Sequence, residues 1–202
     1  MQPATRRFAF ACTFLAAVTM PASVGWAGPH DHDGGFFLRL SGGGGYAHGS
    51  LTKTLEPSAE FSGAAADWSF AIGGMVARNV AVHGTIWGWL MPNPDWTQVD
   101  TTTAGNEHVR LSAMGGGVTY FFMPLNVYIA PSIGIGALFN ESGDTDPRLA
   151  IDITLGKEWW VGNKWGIGLA GAIGYFSVPA STAIGESWSG TSIALRFTAT
   201  LN

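Results

Sequence analysis

Two histidines and one serine are the first residues in this chain that could do chemistry. His83 and His108 are eligible general bases, and Ser112, on the segment that follows His108, is a conceivable nucleophile. Acyl transfer on a lipid would need that hydroxyl and an imidazole within hydrogen-bond reach, with a third group orienting the imidazole. No compact motif ties the three together, so a non-enzymatic protein is the favoured reading and a lipid-modifying enzyme the alternative. The tract "HDHD", His30 to Asp33, offers imidazole and carboxylate to a transition metal. Pro29 has no amide proton to displace, which spoils an amino-terminal copper arrangement, and a tail without further ligands lacks a fixed set. Glu141, Asp144 and Asp146 in "NESGDTD" likewise lack the ordered ligands of a calcium loop. No metal or cofactor is expected.

The glycine motifs fare no better as binding sites. Gly42 to Gly45 lack the Lys-Ser/Thr that completes a phosphate loop. Gly166, Gly168 and Gly171 match a dinucleotide fingerprint, but no strand–helix–strand unit fits before the C-terminus. As a membrane helix, the stretch between Lys164 and Ser177 would rise only ~18 Å. As a tilted strand it is long enough, because about 9–11 residues cross a membrane.

A second set of chemical groups comes from charge. Arg39, Arg110, Asp152, Glu158 and Arg196, with His83 beside Thr85, fall on rows that point into a closed barrel. Isolated charges in so narrow a space are costly, so opposite signs should pair and fill the lumen. The open alternative is a polar conduit.

The elements that must position these groups are eight alternating segments, at roughly 35–47, 67–78, 80–91, 107–122, 126–139, 148–160, 164–177 and 189–201. Their connections alternate between short ("RN", "MPLN", "VGNK") and long, which describes an antiparallel up-and-down meander. No stretch between the leader and the C-terminus reaches the uninterrupted apolar length of a membrane helix. Ile193, Leu195 and Phe197 alternate with Arg196 and Thr198, and Ile167, Leu169 and Ile173 with Gly166, Gly168, Ala170, Ala172 and Gly174.

Composition decides which row faces out. The smaller row holds Gly, Ala, Ser and Thr rather than Lys and Glu, and only 12% of the residues are charged, against about 25% in soluble domains. Small residues suit the inside of an eight-stranded barrel, and a large aliphatic row facing out is tenable only in lipid. Trp68, Trp87, Trp89, Trp159, Trp165, Tyr175 and Trp188 concentrate near segment ends, where membrane interfaces should fall.

The N-terminus carries Arg6 and Arg7 before an apolar run, then small residues at Gly25 and Ala27, the pattern of a cleaved secretory signal. The expected organisation is a removed signal over 1–27, a polar leader over 28–34 and a barrel over 35–202. Loss of Arg6 and Arg7 moves the formal charge from -4 to -6, which argues against a nucleic-acid partner. Cys12 lies within the removed segment, so no disulfide is expected.

Signal, eight strands, alternating loops, outward apolar rows and the terminal strand "GTSIALRFTATLN" together resemble the small outer-membrane β-barrel proteins, the OmpA-, OmpX- and OmpW-like group. The resemblance spans the whole mature chain and is architectural. It departs at the end, where Leu201-Asn202 stands in place of the group's terminal aromatic residue. It implies an outer-membrane location in a Gram-negative cell, assembly by the barrel-assembly machinery, and lipid as the surrounding partner. Within it, the expected role is a membrane anchor or presenter of surface loops with a plugged interior. A narrow pore for small or hydrophobic solutes is the alternative, and the partner of the loops is left open.

Overall fold

Alternating bulky and small residues satisfy an extended backbone with two unlike faces, and every segment expected to be a strand is one. The computed structural model describes residues 32, 35–52, 59–98, 101–141, 143–180 and 187–202. The signal segment, His30, Asp31 and Asp33 lie outside these residues. The strands are β1 (Phe36–Thr52), β2 (Ala59–Ala77), β3 (Val80–Pro92), β4 (Asp95–Gln98), β5 (Thr101–Ala104), β6 (His108–Phe122), β7 (Val127–Asn140), β8 (Gly143–Asp144), β9 (Arg148–Trp160), β10 (Trp165–Pro179) and β11 (Ser187–Leu201).

Eight of them close an antiparallel barrel, with β1 pairing β2 on one side and β11 on the other. Registered partners followed once around from Arg39 run through Ala71, Thr85, Gly115, Gly134, Ala150, Phe176 and Gly190 to Gly49. The path returns ten residues further along β1, from 39 to 49. Eight strands with that stagger must tilt by about 40°.

Asn79 and Asn126 take positive φ in the turns after β2 and β6, as expected of the short links. The 161–164 turn closes without a positive φ, contrary to that expectation. At Gly43 and Gly45 a Cβ would collide with the carbonyl oxygens of Leu195 and Ile193 on β11, which explains glycine in "GGGG" as close strand approach.

Two strands run well past their expected bounds, β1 to Thr52 beyond its expected end at 47, and β2 at its start. β2 begins at Ala59 and not near Asp67, because "AEFSGAAA" has little bulk to display an alternation. The chain leaves β3 through Asn93 and Pro94, and β4 then continues the ladder alongside the free start of β2, with β5 folding back upon it. The longest loop therefore carries a hairpin of its own.

The outer surface is apolar. Leu195 and Phe197 are 77% and 74% exposed, and Ile133, Ile173 and Ile193 are similarly bare. Tyr120 and Arg110, ten residues apart on the outward row of β6, bracket a rise of about 25 Å at this tilt. That equals the apolar band expected of a barrel in an outer membrane, about 25 Å.

Candidate functional site

The barrel interior is the candidate site, and it is stacked in layers. Nearest the short turns, Arg39 lies over Tyr128, its guanidinium carbon 3.8 Å from the ring centre, with Phe37 and Phe121 beyond. Its Nε donates to Thr200 Oγ1 at 3.0 Å and stands 3.3 Å from Glu158 Oε1. Thr200 in turn donates to the same carboxylate oxygen at 2.6 Å. Thr119 bridges this group to His83, whose Nε2 lies 3.1 Å from its hydroxyl.

The next layer is centred on Arg196. Its Nε and Nη2 grip Asp67, with Nη2 3.1 Å from Oδ2. Nη1 and Nη2 reach the two oxygens of Asp152 at 2.9 and 2.8 Å. Nη1 also donates to Thr154 at 2.8 Å. A guanidinium has five N–H donors, and these five bonds use all of them. Forked pairing to a carboxylate on each side is the geometry in which Arg is strongest.

The loop end is closed by rings. Phe61 lies 6.2 Å from Trp89, 5.6 Å from Trp96 and 5.3 Å from Trp188, and Trp89 lies 6.1 Å from Phe176. Met91, Val109, Leu111, Leu138 and Val178 fill in around them. Gly49 faces the Phe61 ring so closely that any Cβ there would overlap it.

His32 closes the other end. Buried to 1% exposure, its ring stacks on Phe121 at 3.6 Å. Asn79 accepts its backbone N–H at 2.9 Å and donates to its carbonyl at 2.7 Å. Nε2–H donates to Asn126 Oδ1 at 2.8 Å, and Nδ1 accepts from the Asn202 amide. These partners suit the neutral imidazole. Burial holds its pKa below the usual 6.5, with the Asn126 hydrogen bond and the Glu158 charge opposing.

Five of the charged residues picked out by alternation, Arg39, His83, Asp152, Glu158 and Arg196, therefore lie inside, divided between two layers. Arg110 is a correction: it is exposed on the outward row of β6. Its row also carries Ser112 and Gly116, which look interior, but Val109 and Leu111 are the residues that pack into the ring cluster. Asp67 was missed because β2 was expected to start there, although its row with Phe61, Ala65 and Ala71 carries the signal.

Among the aromatics, Trp68, Trp159 and Tyr175 face outward and Trp165 is half-buried. Trp87 and Trp89 are buried inside, and Trp188 packs against the interior ring cluster, so all three leave the expected girdle. Both rows of β3 are apolar near its end, and Ile86 and Leu90, not the tryptophans, take the outside.

The catalytic trio is not assembled, since His83 points inward while His108 and Ser112 lie on the outward row. The latter two are four positions apart, about 13 Å of strand. Among the described residues no group of three or more His, Cys, Asp or Glu is placed to hold a metal ion.

An apolar exterior around a closed, ion-paired core gives the chain the fold of the small outer-membrane β-barrels. It is similar to neisserial surface protein A, with TM-score 0.57 and 12% identity over 84% of this chain and 98% of that one. It is also similar to the outer membrane protein AlkL, solved in DMPC bilayers, with TM-score 0.53 and 14% identity over 91% and 95% of the two chains. No protein-family model matches the sequence, and no curated protein matches it.

Proposed function

We propose that the protein resides in the bacterial outer membrane as a non-enzymatic barrel that anchors its longer loops at the cell surface and does not conduct. The saturated Arg196 carries this reading. A guanidinium that spends all five donors on Asp67, Asp152 and Thr154 has none left for a passing solute, and it ties β11 to β2 and β9 across the lumen. The separation of Ser112 from both histidines supports the absence of catalysis. Lipid is the partner of the outer face, and assembly falls to the barrel-assembly machinery.

Two measurements test this. Cell fractionation should recover the protein with outer membranes, and unboiled protein should migrate differently from boiled protein on a gel. Reconstituted in a planar bilayer, the wild type should give no conductance steps; ohmic steps would overturn the closed lumen.

A second reading, entry of a small apolar solute at the loop end, is favoured by one detail. Trp89 Nε1 is buried within the ring cluster and has no hydrogen-bond partner among the described residues. Saturable quenching of tryptophan emission by a small apolar ketone, lost in Trp89→Phe, would support it. Quenching linear in concentration would count against it.

A further inference from the structure

Arg110 is the one charged residue picked out by alternation that the interior leaves unused. Its guanidinium lies 4.5 Å from the ring centre of Phe139, its registered neighbour on β7, which holds the side chain along the barrel wall. Among the described residues no carboxylate pairs with it. His108 follows it on the same outward row toward the loops, and Met114 precedes it toward the turns.

Arg110 stands at the loop-side edge of the apolar band, where lipid phosphates fall if the barrel sits in the outer membrane. Below it the outer wall is indented. A shallow, open depression of about 620 Å³ is lined by Phe70, Ile72, Gly84, Ile86, Met114 and Ile135. The register fixes its distance: Leu90 pairs with Arg110, and Ile86 pairs with Met114 four residues further down both strands. That is about 13 Å along the strand, within reach of an extended acyl chain anchored at Arg110. Gly84 leaves the floor open, since a Cβ there would meet nothing closer than 3.9 Å.

We propose that this face binds an anionic membrane lipid, its phosphate on the Arg110 guanidinium with His108 beside it and one acyl chain in the groove. The assignment rests on the outer-membrane reading. A cation without a carboxylate among the described residues, directly above an apolar indentation, matches an amphiphile whose headgroup is net negative and neither a zwitterionic lipid nor a soluble anion. An uncharged surface would suffice for the former, and the latter has no use for the groove.

The test uses the full chain reconstituted in phosphatidylcholine vesicles containing a minor fraction of lipid A, then extracted in mild detergent for native mass spectrometry. Wild type should retain lipid A above its share of the vesicle. Arg110→Gln should lower that enrichment about fivefold, the weight of one interfacial cation. Gly84→Leu, which fills the groove without strain, should lower it with Arg110 intact. Arg148→Gln, removing another exposed loop-side cation, should leave it unchanged. Enrichment that is absent, or that falls equally in Arg148→Gln and Arg110→Gln, overturns the site while leaving the membrane reading standing. Wild type that inserts into no vesicle overturns the membrane reading and this site with it.

Discussion

Arg196 shows how one residue's stability effect depends on what remains when it is removed. Asp67 and Asp152 are both buried and both oriented on it. Arg196→Met therefore strands two carboxylates in the barrel, and breaking a buried pair in this way costs about 3–5 kcal/mol. Replacing Asp67, Asp152 and Arg196 together by Leu, Leu and Met removes the desolvation cost with the charges, and such exchanges are often neutral or stabilising. Urea unfolding of the barrel in detergent should rank wild type and the triple variant close together, with Arg196→Met well below both. A triple variant as unstable as the single one would mean that the pairs stabilise the barrel beyond their desolvation cost. A steric case lies at the loop end, where Gly49→Val would drive a branched side chain into the Phe61 ring. Overpacking of this kind costs about 1–3 kcal/mol, and the same urea series would read it.

The short-turn mouth is closed by a residue that belongs to no strand, His32. His32 is held by asparagines from the β2–β3 turn, the β6–β7 turn and the end of the chain, so its docking joins three parts of the rim. Its docked pKa lies below 6.5 because burial disfavours the charged ring. The sign follows: undocked His32 binds a proton more readily than docked His32, so docking is strongest above about pH 6.5 and weakens as pH falls below it. The Asn79 amide, which donates to the His32 carbonyl, reports the change. Its hydrogen-exchange protection, corrected for intrinsic rate, should drop between pH 7.5 and pH 5 in wild type and stay flat in His32→Gln. Equal protection at both pH values in wild type would refute the latch. Nothing in "HDHD" foretold this contact: a polar tail has no periodicity, and its partners are 47 to 170 residues away. The strands were legible for the opposite reason. Each declares its two faces locally, and only where both rows are apolar, as around Trp87 and Trp89, or both contain small residues, as around Arg110, does the facing become ambiguous.

If the lumen is closed as proposed, the closure is built in series. A solute descending from the loop side meets the Phe61–Trp89 rings, then Arg196 with its two carboxylates, then Arg39 with Glu158 and Tyr128, and last His32 on Phe121. Barriers in series are not opened by removing one of them, because the highest of those remaining sets the current. The alternation could show that charges shared an interior, yet it could not show this order, which depends on a stagger of ten residues that no single strand contains. His32→Ala and Phe61→Ala should therefore each leave the barrel non-conducting in a planar bilayer. Conductance should emerge only when the ion-paired layers are thinned as well, for example in Asp67→Ala/Asp152→Ala/Arg196→Ala/Arg39→Ala combined with His32→Ala and Phe61→Ala. Its steps should be small, since an eight-stranded barrel has room for little more than its own side chains. Steps in His32→Ala alone would show that the upper layers already pass ions and that His32 is the whole barrier. Silence in the combined variant, with its heat-dependent mobility intact, would place the barrier in the backbone cylinder itself.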